Sequence, residues 1–214
     1  MEKDKETFQT WNKVAALYQE KFMHLDLYNK SYDYICDRIT EEGAAILDLG
    51  CGPGNITRYL LSRRPGYRIT GVDMAPNMIE LARVNNPTAS FLTMDIRQIS
   101  QLKAGFDAVI CGFAVPYLSK DEVAVLITDS FRLLNDNGLL YISFVAGDPD
   151  KSGFKTGSTG DRTYFYYHST DNMVEQLANS GFHVSNIFTV EYNTSAGETE
   201  LHTIIITQKT GSVS

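Results

Sequence analysis

Positive charge, cysteine pairs and long apolar runs are all scarce in this chain, and each shortage removes a class of protein. Lys and Arg number 19 against 26 Asp and Glu, for a formal net charge of -7 and a pI near 5.1. That balance opposes the counterion release on which most nucleic-acid binding rests, so no nucleic-acid partner is expected. Arg58, Arg63, Arg64 and Arg68 do gather in sequence, but solvated helix ends produce such clusters without any partner. Cys36, Cys51 and Cys111 are far apart and form no C-x-x-C pair, which indicates neither a disulfide framework nor a zinc site; no metal is expected. The opening MEKDKETFQTW mixes acids with bases, and no segment holds about eighteen uninterrupted apolar residues. These features read as a cytoplasmic chain with no membrane partner.

What is present is ordinary globular material. With 214 residues, 43% hydrophobic and 21% charged, the chain can bury one substantial core, and a single domain over 1–214 is expected. Phe8, Trp11, Val14, Ala15, Leu17, Tyr18 and Phe22 recur at helical spacing, and a second helical stretch from Leu27 to Ile39 carries Tyr28, Tyr32 and Ile35, with Gly43 as its stop. The segment 1–42 is therefore helical, and a core follows over 43–209. In that core the apolar runs Ala44–Gly50, Tyr67–Asp73, Ser90–Asp95, Phe106–Gly112 and Leu139–Val145 read as strands. Helix candidates lie between them at Asn55–Arg64, Pro76–Asn85 and Asp121–Leu134. Strand, helix, strand repetition predicts an α/β Rossmann-like doubly wound sheet, mostly parallel, with helices on both faces. Asp148–Asp161 has no periodicity and reads as a loop. A helix at Thr170–Ser180 and two strands, FHVSNIFTVEY and ELHTIIITQ, follow; the NTSAG between those strands predicts an antiparallel C-terminal pair, and the final TGSVS a frayed tail.

Gly50, Gly52 and Gly54 come directly after the first strand and precede a helix, where a glycine-rich turn lets a ligand approach the backbone. A dinucleotide loop is spaced G-x-G-x-x-G, whereas this one is G-x-G-x-G with Asn55 in the sixth position. Asp48, two residues before the first glycine, is expected at the mouth of the turn, where it would repel a pyrophosphate and attract a cation. Asp73 ends the second strand about twenty residues later, placed to accept hydrogen bonds from a ribose diol. At the end of the third strand, Asp95 and Ile96 offer an acid and an apolar surface for an adenine.

On these residues the chain resembles the class I S-adenosylmethionine (SAM)-dependent methyltransferases. ILDLGCGPGN is similar to that family's first motif, GVDMAPNMIELAR to its second, FLTMDIRQI to its third, FDAVICGFAVPYLS to its fourth, and LLNDNGLLYISF to the turn and strand that follow. The resemblance implies SAM as cofactor and S-adenosylhomocysteine as product. It implies that Gly50, Cys51, Gly52 and Gly54 pass close to the methionine moiety with Asp48 ordering the loop, and that Asp73 binds the ribose. Met74, Asp95 and Ile96 would then hold the adenine, with Cys111 beside the methyl donor. Tyr18 and Tyr28, on the N-terminal helices, would close over the cofactor as a lid, although burial of both rings against the sheet accounts for them equally.

Methyl transfer from a sulfonium needs positioning and desolvation more than acid catalysis, because the leaving group departs without a proton. For a hydroxyl or protonated amine acceptor a base is needed, and His168 in TYFYYHS is the sequence candidate, with helix capping as its alternative. Tyr117 and Tyr166 are candidate contacts for the acceptor. GFAVPYL lacks the Asn-Pro-Pro-Tyr clamp of enzymes that methylate DNA bases, which with the negative charge favours a small-molecule acceptor. A SAM-binding protein without catalysis, a methyltransferase acting on protein side chains and an NAD-dependent oxidoreductase are the rival expectations.

Overall fold

The structure is a computed structural model that describes residues 2–194, 197 and 199–210. Three helices open the chain: α1 (Glu2–Lys13), α2 (Ala15–Phe22) and α3 (Asn29–Arg38). The alternating core follows as β1 (Ala45–Leu49), α4 (Asn55–Arg63), β2 (Arg68–Asp73), α5 (Pro76–Asn85), β3 (Ser90–Thr93), β4 (Phe106–Gly112), α6 (Lys120–Leu133) and β5 (Leu134–Val145). A short antiparallel hairpin, β6 (Gly153–Thr156) with β7 (Arg162–Phe165), precedes α7 (Thr170–Asn179), β8 (Phe182–Asn193) and β9 (Thr199–Lys209).

Seven strands form one sheet in the order β3-β2-β1-β4-β5-β9-β8. The first five pair in parallel, and β9 joins β5 and β8 antiparallel. The doubly wound sheet and its antiparallel C-terminal pair are thus as the sequence predicts. Local chemistry sets the helix starts. Pro76 occupies the first turn of α5, where its missing N–H has no helical partner to lose. α6 begins in a capping box in which the Ser119 side chain accepts from the Glu122 N–H and the Glu122 carboxylate accepts from the Ser119 N–H.

Strand alternation divides the core between the two faces of the sheet. Leu47, Leu49, Val109, Ile142 and Phe144 pack under α6 and α7 against Ile127 and Leu177, while Ile46, Ile110, Tyr141 and Ile204 pack under α3 and α4 against Ile35 and Leu60.

Three expectations need correction. Gly43 does not stop the second helix: α3 ends at Arg38 with Ile39 already extended, and Gly43 makes a left-handed turn just before β1. Asp148–Asp161 is not a structureless loop but a 3-10 turn and most of the β6–β7 hairpin, whose four-residue strands are too short to leave a readable period. α6 begins at Lys120, because its cap is Ser119. The expected tail from Gly211 onward and the Ser195–Ala196 part of the expected NTSAG turn lie outside the described residues.

Phe144 is fully buried in the α6–α7 core whereas Val125 is exposed. Phe144→Ala is expected to cost about 3–5 kcal/mol and Val125→Ala less than about 0.5 kcal/mol, as measured by the shift in urea unfolding midpoint.

Candidate active site

β1 and β4 are neighbours, and the chain leaves them toward opposite edges of the sheet, so a crevice opens at their carboxyl ends. The glycine turn lines it. Gly50 adopts φ 64°, and a Cβ there would stand 2.6 Å from the Cβ of Ala114, so only glycine lets the turn after β1 pass the turn after β4. Gly54 caps α4 in the left-handed region, with the Asn86 side chain where a Cβ would go.

Asp73 ends β2 and enters the crevice. Its Oδ2 accepts from the Gly52 N–H at 3.0 Å and its Oδ1 from the Ala75 N–H at 2.8 Å, which fixes the carboxylate and leaves further lone pairs for a ligand. Burial pushes its pKa up, opposed by those two hydrogen bonds. Asp95 accepts from the Arg97 N–H at 2.9 Å and pairs with the Arg97 guanidinium at 3.2 Å. The same guanidinium binds Glu122 at 2.5 Å, the Tyr117 carbonyl at 3.2 Å and Asp4 at 3.6 Å. Arg97 therefore joins the end of β3 to α1, α6 and the turn after β4.

A cavity of about 310 Å³ continues from the crevice under the N-terminal helices, at the small end of the range for small-molecule sites. Trp11 meets Tyr18 and Tyr117 edge-on at 5.5 and 5.4 Å. α1 is fastened to β7 and the turn before it: Arg162 pairs with Glu6 at 2.8 Å, Lys13 with Asp161 at 2.8 Å, and the Tyr164 N–H donates to Thr7. Asn12 bonds Asn77 on α5. On the opposite wall, Tyr28 Oη lies 2.7 Å from His202 Nδ1, and His202 Nε2 lies 3.4 Å from Glu200 Oε2. Lys155 reaches Glu200 at 3.0 Å. Hydrogen bonding from His202, with Lys155 alongside and burial opposing, holds the Glu200 pKa down to about 2.

Of the residues singled out in sequence, Tyr18, Tyr28, Gly50, Cys51, Gly52, Asp73, Met74, Asp95, Ile96 and Tyr117 line this one cavity. The others do not. Asp48 is not at the mouth: strand alternation points it to the α4 face, where it is fully buried and accepts from Thr57 Oγ1 at 2.7 Å. It orders the loop from beneath. Gly54 acts as a helix cap, and Cys111 is fully buried in the α6 face of the core, its thiol pushed up to about 12 by burial.

His168 and Tyr166 line a separate depression beside α7. His168 is 7% exposed, its Nε2 is 3.2 Å from the Val115 carbonyl, and burial lowers its pKa, so it is a packed histidine away from the cavity. The sequence reading missed His202, Glu200, Phe113, Trp11 and Arg97, all of which line the cavity. A signal did exist for two of them: Glu200 and His202 are two apart at the start of a strand, just before the apolar run Ile204–Ile206, so they share a face.

Comparison with known proteins agrees with this geometry. The family described as "Methyltransferase domain" matches residues 46–138. A trans-aconitate 2-methyltransferase of Enterobacter sp. (strain 638) is 42% identical over 97 residues, 45% of this chain and 37% of that protein. A malonyl-[acyl-carrier protein] O-methyltransferase of Enterobacter lignolyticus (strain SCF1) is 30% identical over 139 residues, 64% of this chain and 53% of that protein. The chain thus spans about half or less of the length of these curated relatives. The crystal structure of 1,6-didemethyltoxoflavin-N1-methyltransferase from Burkholderia thailandensis, with bound 1,6-didemethyltoxoflavin and S-adenosylhomocysteine, shares the fold. Its TM-score is 0.71, at 19% identity, over 96% of this chain and 88% of that one. Fold and crevice together define a Rossmann-like α/β protein with a crevice at the topological switch point, where folds of this kind bind ligands. Within that fold, residues 46–138 are similar to the methyltransferase domain family.

Asp48 supplies a test of the loop's foundation. Burial raises its pKa from 3.8 to about 6, partly offset by Thr57, and its Oδ1 has no hydrogen-bond partner. A carboxyl held above its unfolded value stabilises fully below that value, and the contribution is lost as pH rises through the folded one. Asp48→Asn, which keeps an acceptor for Thr57, is expected to become more stable than the native chain by up to about 3 kcal/mol as pH rises from 4 to 7. Urea midpoints of both proteins across that range would show the gap opening, and a constant gap would contradict it.

Proposed function

We propose that this chain binds SAM in the crevice and transfers its methyl group to a small-molecule acceptor enclosed under the N-terminal helices. The observation that carries the reading is Asp73. Two backbone N–H groups fix its carboxylate in the same cavity as the left-handed glycine turn, Asp95 and the aromatic wall. Those residues fit an adenosyl ligand bearing a sulfonium. Asp73 would accept from the ribose hydroxyls, Met74 and Ile96 would flank the adenine, Asp95 would accept from its amino group, and Gly50 and Gly52 would leave room for the methionine part. Bound there, SAM supplies an electrophilic methyl carbon. The protein's contribution is alignment of the acceptor and exclusion of water, and the rings of Trp11, Tyr18 and Tyr117 provide both.

A pyrophosphate is poorly served by the same cavity. Among the described residues, Arg97 is the only Lys or Arg that lines it, and that guanidinium is already paired with carboxylates. This separates the site from a dinucleotide-dependent oxidoreductase. A protein side chain as acceptor would call for an open groove, whereas α1 and α2 roof this site and α1 is fastened to β7. In this reading segment 1–42 is the lid of a single domain, with no membrane or nucleic-acid partner. A non-catalytic SAM sensor is set apart by single-turnover transfer.

Calorimetric titration with SAM, S-adenosylhomocysteine and NADH tests the proposal. Both adenosyl ligands are expected to bind and NADH to be silent. Asp73→Ala should weaken adenosyl binding by at least about tenfold, since hydrogen bonds to a charged group contribute about 1.5–3 kcal/mol each. Binding of NADH alone would overturn the assignment.

A further inference from the structure

The cavity also holds a second constellation of polar side chains. Tyr28 stands just before α3, His202 and Glu200 share one face of β9, and Lys155 reaches in from β6. Tyr28 and His202 are separated by 174 positions in sequence yet meet at 2.7 Å, both nearly buried and both lining the cavity. Burial keeps the Tyr28 phenol protonated by pushing its pKa far above the usual value. The Glu200 carboxylate only accepts, so in the neutral imidazole the ring proton sits on Nε2 facing it, and the Tyr28 hydroxyl donates to Nδ1. The order Tyr, His, Glu repeats the logic of a nucleophile–histidine–carboxylate triad, in which a hydroxyl loses its proton to an imidazole oriented by an acid. Tyr192 stacks on the His202 ring at 4.8 Å and 14°, which further limits its rotation.

Phe113 couples this wall to the methyl-donor side. It has φ 57°, a rare conformation for a bulky residue and one that a surrounding structure must enforce. Its ring lies 4.9 Å from Tyr28 and 4.8 Å from His202, while the next residue, Ala114, is the one packed against Gly50. A strained residue thus holds the triad beside the glycine turn.

Resting on the methyl-transfer reading above, we propose that Tyr28, backed by His202 and Glu200, takes the proton from the methyl acceptor, and that the acceptor is a planar, uncharged molecule presenting an aromatic O–H. The acceptor's oxygen donates its hydrogen to Tyr28 Oη as the Tyr28 proton passes to His202 Nδ1. That oxygen bonds to the methyl carbon as the carbon–sulfur bond breaks, the electron pair returning to sulfur. The proton is left on an imidazolium paired with Glu200. Acceptor charge follows from the lining: Glu200 and Asp95 are carboxylates, and the cavity-lining Arg97 is engaged by Asp95, Glu122 and Asp4, so a polycarboxylate would meet no unpaired cation among the described residues. Trp11, Tyr28, Phe113 and Tyr117 all line the cavity, and a lining of rings suits a flat aromatic guest.

The test uses 4-nitrophenol, whose absorbance reports its ionisation, bound to the protein loaded with S-adenosylhomocysteine. The native protein is expected to lower the apparent pKa of the bound probe by about one unit or more, a tenfold gain in ionisation. Tyr28→Phe should return it to the free value, and Glu200→Gln at least half of the way, each read on variant protein saturated with S-adenosylhomocysteine. A bound probe of ordinary ionisation, a shift retained by both variants, or no probe binding while S-adenosylhomocysteine binds would each overturn the proposal. Failure of S-adenosylhomocysteine itself to bind would instead sink the methyl-transfer reading and this inference together.

Discussion

Because β1 and β4 lie side by side while their crossovers run to opposite edges and opposite faces of the sheet, the turns that follow them part above the strand ends. Right-handed crossovers make this unavoidable once the strand order reverses. Everything in the site is hung from that parting. The turn after β1 brings Gly50 and Gly52, the end of β2 brings Asp73, and the turn after β4 brings Phe113, Ala114 and Tyr117. The narrowest point is the contact of Gly50 with Ala114. Any side chain at Gly50 would force the two turns apart.

Charges around the crevice act as fasteners more than as ligands. Arg97 is half-buried and bound on several sides, so it is spent on joining elements that are far apart in sequence. The pairs that hold α1 to β7 and its turn are largely exposed, and pairs of that kind contribute only about 0.2–1 kcal/mol each. The roof is consequently weaker than the sheet beneath it, which suits a cavity that must admit and release its contents.

Legibility in the sequence followed the range of the interactions. β1 to β5 and the glycine turn were readable because each is set by local period and by residues that permit an unusual backbone, and Asp73 because its distance from the turn is fixed by one strand–helix–strand unit. Asp48 was misplaced since nearness to the glycines in sequence says nothing of which way the pleat points it; alternation from Ile46, a residue of the α3–α4 face, shows the answer. His168 was singled out for the run of tyrosines before it, whereas His202 went unnoticed because its partner Tyr28 is at the other end of the chain. The β6–β7 hairpin was hidden by strands of four residues.

The tie between α1 and β7 also bears on the order in which the molecule assembles. Phe8, Trp11, Tyr18 and Phe22 lie on α1 and α2, yet the surfaces that shelter them include Tyr117 and Phe165, far later in the chain. Closing so wide a loop comes late, after the local strand–helix units have formed. Until then the aromatic helical face is covered only in part, by Ala75 and by Met78 of α5, and exposed apolar surface of that kind makes an intermediate sticky. Completion of the cavity and burial of that adhesive surface are therefore one and the same event in folding.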